Sequence, residues 1–177
     1  MKKISLIDED FMDFPIGEFP YDKNHSAIGE YHFIHFPGFY GRWYDPVCNY
    51  RYNGQGASWC IMEYNGRHYM EQMRLHNTEP HRTFPTLETG DRFWRDYDIE
   101  AGLRMFNTKW GSAGIGFCAQ NSLNLLACIF EDKKLKLVYR HKENVEEIKS
   151  VDFDYNCDDT YNIKVSVKGN HVICSVD

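Results

Sequence analysis

No apolar run in this chain approaches the roughly 18 residues that a membrane-spanning helix needs, so no transmembrane helix is expected. Nor is there a basic run. Lys and Arg number 20 against 26 Asp and Glu, for a net charge of −6. A surface that tracks nucleic-acid phosphates needs the opposite balance, so neither nucleic acid nor membrane is expected as a partner. The six cysteines contain no CxxC pair and no zinc-ligand spacing. The opening stretch "MKKISLIDEDFMDF" has two lysines but no apolar h-region, so no signal peptide is seen. The expectation is a cytoplasmic chain, or one whose leader was removed. No helical period longer than two turns is found.

What the chain has in quantity is aromatic residues and strand-like alternation. Aromatics make up 16% of the 177 residues, more Tyr and Trp than a core alone requires. The last eighteen residues, "TYNIKVSVKGNHVICSVD", alternate strictly from Tyr161 to Val167. Gly169-Asn170 supplies a two-residue turn. The implied register pairs Val167 with Val172, Val165 with Cys174 and Ile163 with Val176, all on one face. Cys174 is then an apolar core filler rather than a reactive thiol. "ASWCIMEYNGRHYMEQMR" carries a second hairpin signal at Asn65-Gly66. Its register sets Trp59, Ile61, Glu63, His68, Met70 and Gln72 on one face. Cys60, Met62, Tyr64, Arg67, Tyr69, Glu71 and Met73 fall on the other. Neither face is cleanly apolar, which suits a strand pair whose outer face binds something.

Further strands are expected over 97–106, 113–119, 124–130 and 135–140, with "EDKK" at 131–134 as a turn. "NVEEIKSVDFDYN" allows one more short strand, and residues 4–14 a first one. Residues 15–56 read as irregular structure with short strands, too aromatic for a disordered linker. Strands at intervals near ten residues with turn signals between them indicate an all-β sandwich. Cys60, Cys118, Cys128 and Cys174 lie in strand-like apolar runs. With no leader, they read as reduced buried thiols rather than a disulfide framework.

The segments "DYDIEAGLRM", "AGIGFCAQ", "LLACIFEDKKLKLVYRHKENVEEI" and the terminal hairpin together resemble the concanavalin A-like lectin/glucanase jelly roll, including its laminin-G-like modules. The resemblance covers about residues 90–177, with Ser5 to Phe14 as an edge strand. It implies an antiparallel two-sheet jelly-roll sandwich with one concave sheet, taken here as one domain over 1–177. It also implies carbohydrate as partner, and in some members a structural calcium at the edge. Members include binding modules and glycosidases, and the fold alone does not choose between them. In such modules further strands usually follow the terminal hairpin. The stop at Asp177 therefore reads as the amino-terminal part of a longer carbohydrate-active protein, with a C-terminal catalytic domain beyond it.

Sugar recognition uses flat rings against a pyranose face plus placed polar groups at the hydroxyls. Aromatics beside such groups occur in "GRWYD", "SWCIMEYNGRHY", "RFWRDY" and "TKWGS". The ligand-binding set expected from these is Trp43, Tyr44, Trp59, Glu63, His68, Tyr69 and Trp94, joined by His81 and Arg82 in "PHR". The plain counterpart is that each Trp is core and His81 anchors a loop. A glycoside hydrolase is the alternative, and it needs two carboxylates flanking one bond. Glu63 and Glu71 fall on opposite faces of their hairpin. Asp96, Asp98 and Glu100 share one strand face in a D-x-D-x-E order, against a plain reading as solvated charges. No cofactor is expected. A calcium would draw on Asp8, Glu9, Asp10, Asp158 and Asp159. A third reading is a structural domain that packs on a catalytic neighbour through exposed aromatics.

Overall fold

The computed structural model describes residues 4–19, 26–28, 43–45, 59–73, 86–91, 93–106, 111–121, 123–142 and 144–177. All regular structure among them is strand, and none of it is a helix long and apolar enough to cross a membrane. By contact the chain divides at Asp91/Arg92 into two units.

In the first unit, β1 (Gly17–Phe19), β4 (Trp59–Tyr64) and β5 (Arg67–Gln72) form an antiparallel sheet in the order β1-β4-β5. Between them in sequence, β2 (Ser26–Ile28) and β3 (Trp43–Asp45) pair parallel, an exception to the antiparallel rule. The β4–β5 turn uses Asn65 at φ 52° and Gly66 at φ 73°. Both are left-handed, as the hairpin turn that fits strand twist demands. The register is the expected one, with Tyr64 opposite Arg67 and Glu63 opposite His68. One face of this hairpin is core. Ile61 and Phe14 are buried, with Trp59, Met70, Phe11, Trp43 and Leu87 packed against them.

The strand expected over residues 4–14 does not form. Short acidic side chains there bond the backbone two residues on instead. Glu9 Oε1 accepts from the Phe11 N–H at 2.9 Å, and Asp10 Oδ1 from the Met12 N–H at 3.1 Å. Such local bonds compete with ladder pairing. They turn the chain so that the Phe14 N–H reaches the Phe11 carbonyl at 3.1 Å.

The second unit contains β6 (Asp98–Arg104), β7 (Ala113–Asn121), β8 (Asn124–Glu131), β9 (Lys134–His141), β10 (Asn144–Asp152), β11 (Thr160–Lys168) and β12 (His171–Val176). They make two antiparallel sheets, β10-β9-β8-β7 and β12-β11-β6. Residues from both sheets fill one core, which makes the unit sandwich-like. Ile115, Phe117, Cys128, Phe130 and Leu135 come from the first, and Ile163, Val165 and Val167 from the second. Tyr155, Phe153 and Tyr161 ring Phe130 at centroid distances of 5.2 to 5.5 Å. The terminal hairpin keeps the expected register, Val165 opposite Cys174. Only Gly169 needs a left-handed backbone there, at φ 56°. The "EDKK" turn places Asp132 and Lys133 at φ 53° and 58°. β10 runs nine residues, longer than expected, as an edge strand with a bulge between Glu147 and Lys149. Bulges are one way native sheets blunt an edge.

β8 is buried on both faces. Cys128 and Phe130 face the core, while Leu125, Ala127 and Ile129 are buried on the opposite face beside Val138 of β9. On that second face β7 offers Gly114 and Gly116, opposite Ile129 and Ala127. A Cβ added at Gly114 would sit 2.0 Å from the Cys128 carbonyl oxygen, which is backbone and cannot swing away. Gly114→Ala should therefore cost about 3 kcal/mol or more, the upper end for overpacking. Gly102→Ala, whose Cβ would meet nothing closer than 3.7 Å, should be close to neutral. Urea denaturation of the two variants checks the contrast.

Candidate functional site

The described residues expected to bind a ligand fall in both units. Trp43, Trp59 and His68 do come together, but around the small core of the first unit. Glu9 organises this place: its Oε2 accepts from Trp43 Nε1 at 3.0 Å while its Oε1 holds the Phe11 N–H. Phe11 sits at φ 59°, its ring 5.6 Å from that of Trp43. Its carbonyl accepts from His68 Nδ1 at 3.1 Å, so the proton is assigned to Nδ1 by its acceptor. Trp43 and Trp59 pack against Phe14 and Ile61. Trp59 Nε1 is buried without a hydrogen-bond partner among the described residues. Glu63 is exposed opposite His68, and Tyr69 lies on the other face of the hairpin. In the second unit, Trp94 is half-buried and its carbonyl accepts from Arg95 Nη1 at 2.8 Å. The Tyr44 side chain, His81 and Arg82 lie outside the described residues.

The carboxylates of "WRDYDIE" have separate attachments. Asp96 is off the strand at φ 53°, and its Oδ1 accepts from the Gly169 N–H at 2.7 Å, fastening the β11–β12 turn. Glu100 accepts from Asn162 Nδ2 at 2.6 Å. Asp158, one of the calcium expectations, takes Arg104 Nη2 at 2.9 Å. Among the described residues no three His, Cys, Asp or Glu side chains converge in a way that would hold a metal ion.

A different group of residues forms a pocket. β7 pairs regularly with β8 up to Phe117 opposite Leu126, then slips, and pairing resumes at Asn121 opposite Asn124. The slip is a bulge, with Cys118 held at φ 51°. A non-glycine residue held left-handed inside a strand costs energy and persists only where neighbours enforce it. Tyr97 does the enforcing. Its hydroxyl accepts from the Cys118 N–H at 3.0 Å and lies 3.5 Å from Cys118 Sγ. Tyr97 is itself fixed to β11, because the Val167 N–H donates to its carbonyl at 2.9 Å. At the hairpin tip, Asn121 Oδ1 accepts from the Leu123 N–H at 2.9 Å and from Asn124 Nδ2 at 2.8 Å.

The disrupted ladder leaves a pocket of about 210 Å³, lined by Cys118, Gln120, Asn124, Leu125, Leu126 and Tyr139. Tyr139 is 39% exposed, and its ring stacks on that of His141 at 6.1 Å. The lining combines an aromatic face, two carboxamides and a thiol, with no carboxylate. Such a surface can donate to and accept from hydroxyls and can cover an apolar ring face, but it has no acid–base pair for hydrolysis. One signal in the sequence could have pointed here, the polar cluster "QNSLN" between two apolar runs, which the reading above passed over. It does not identify Cys118 as the bulged residue.

Burial, and then the bond to the Cys118 side chain, push the Tyr97 hydroxyl up to about 12. The unfolded chain loses that proton near pH 10, so the folded state holds the extra proton between pH 10 and 12. Stability must fall with rising pH across that window. In Tyr97→Phe this component of the alkaline loss should disappear, and the lost bond to the bulge should cost about 1–2 kcal/mol at neutral pH. Denaturation midpoints measured from pH 7 to 12 on both proteins test it.

Comparison of the chain with protein-family models, with characterised proteins and with solved structures finds no match in any of the three.

Proposed function

We propose that the chain is a carbohydrate-recognising module and that the second unit is a jelly roll of the concanavalin A-like kind, part of a larger carbohydrate-active protein. The observation that carries the reading is the pocket at the β7 bulge. There a partly exposed tyrosine ring stands beside the Gln120 and Asn124 carboxamides. An aromatic face with a few convergent neutral polar groups is the usual composition of a site for a small polar ligand. Its volume of about 210 Å³ lies below the roughly 300–1,000 Å³ of sites for drug-sized molecules. That size fits one sugar ring rather than a long chain. Recognition without turnover is favoured over hydrolysis because the lining lacks a carboxylate pair.

The set expected from sequence offers a second place for the ligand, around Trp43 and Trp59. Their packing against Phe14 and Ile61 gives those rings a structural task already. The two places make different predictions. On a glycan array or affinity gel with neutral saccharides, Tyr139→Ala should weaken retention about tenfold, equivalent to about 1.4 kcal/mol, with unchanged thermal stability. Trp43→Ala should instead destabilise the fold. Full retention by a folded Tyr139→Ala protein would move the site away from the bulge. Release of shortened sugars from the gel would favour the hydrolase reading.

A further inference from the structure

The backbone beside the β7 bulge decides which way the pocket's carboxamides face. The Leu123 N–H can only donate, so the Asn121 side-chain atom it reaches at 2.9 Å is the oxygen, Oδ1. The Asn124 carboxamide lies 2.8 Å from that same oxygen, so Asn124 must turn its Nδ2 toward it. Asn124 Oδ1 is left as an acceptor with no hydrogen bond among the described residues. Asn124 is half-buried and lines the pocket. From β7, Gln120 lines the same pocket with an exposed carboxamide, also unbonded among the described residues. Its Nε2 is free to donate. Leu126, directly cross-strand from Tyr139, adds an apolar wall. The Cys118 N–H is already taken by Tyr97.

A fixed acceptor, a free donor and an apolar wall within about 210 Å³ make a specific demand. A hydroxyl can meet the acceptor or the donor. Turned against the leucine it is a polar group desolvated without a partner, which costs energy. An ammonium group needs a carboxylate and a carboxylate needs a cation, and the lining has neither. An acetamido group carries all three complements on neighbouring atoms. Its N–H suits Asn124 Oδ1, its carbonyl suits Gln120 Nε2, and its methyl suits Leu126.

We infer that the pocket recognises the acetamido group of an N-acetylated sugar, with Asn124 and Gln120 as the specificity-determining residues. The inference rests on the carbohydrate-recognition reading and names the class of sugar. Tyr139 covers the ring, and the two carboxamides with Leu126 choose the substituent.

The test measures binding of the full chain to glucose, glucosamine and N-acetylglucosamine, which differ only at C2, by NMR titration at pH 7. The corresponding galactose series is run alongside, so that the orientation of one ring hydroxyl does not decide the result. Each N-acetylated sugar should bind about tenfold more tightly than its parent, the worth of one net hydrogen bond and one partly covered methyl. The free amines should bind no better than the parents. Gln120→Ala, a change at an exposed and unbonded position, should keep the melting temperature and reduce that preference about fivefold. Equal affinity for the N-acetylated and parent sugars would overturn the inference, and so would a preference that a folded Gln120→Ala protein retains in full. In both cases carbohydrate recognition itself still stands. If no sugar of either series binds, the carbohydrate reading fails and the inference falls with it.

Discussion

Double burial of β8 is the constraint from which the second unit follows. A strand with apolar side chains on both faces, "LLACIF", cannot be an edge and cannot face water. It must have a ladder on each side, which β7 and β9 provide. It must also have cover on the face carrying Cys128 and Phe130, which the β12-β11-β6 sheet provides. Each fully buried side chain of that size contributes about 1.5–3 kcal/mol, so β8 pulls its neighbours into a fixed register. On the opposite face the same demand selects glycine in β7, because Gly114 lies where any side chain would strike the β8 backbone.

The pocket arises where that demand ends. Beyond Leu125 the apolar run gives way to Asn124 and, across the turn, Asn121, and β7 has no further reason to stay in step with β8. The ladder slips by way of Cys118. The slip would be free to relax were it not for Tyr97, which belongs to the chain entering the other sheet. One residue therefore holds the strained backbone of β7 through its hydroxyl and is tied to β11 through its carbonyl. Loss of regular pairing is what opens the pocket, and the bond from Tyr97 is what holds the backbone beside it.

Much of this architecture was legible in the sequence because its determinants are local. Asn65-Gly66 and Gly169-Asn170 set two registers residue by residue, and period-two alternation placed Ile163, Val165 and Val167 inward. What was not legible depends on partners distant in sequence. Nothing near Cys118 announces that a tyrosine twenty-one residues earlier will bond its N–H. Nothing near Trp43 shows that Glu9 will take its indole N–H or that its ring will pack against Phe14 and Ile61. The "ISLIDEDFMDF" segment misled for a related reason. Its apolar residues suggested a strand, while its carboxylates had closer partners in their own backbone. Cys174 was read correctly as inward-facing, because its partner Val165 and the period-two alternation settle its side within one hairpin.

The sheets of the second unit meet in two ways, and these differ in kind. The Tyr97–Cys118 contact is polar and sits at an exposed bulge. Around Cys128 and Phe130 of one sheet and Ile163 and Val165 of the other, the contact is apolar packing within the core. A hydrogen bond tolerates small sheet displacements, since donor and acceptor can shift by tenths of an ångström and stay bonded. Close-packed apolar side chains do not, because a small gap already forfeits much of their contact energy. The spacing of the two sheets is therefore set where Phe130 meets Ile163 and Val165, while the bulge end keeps more freedom.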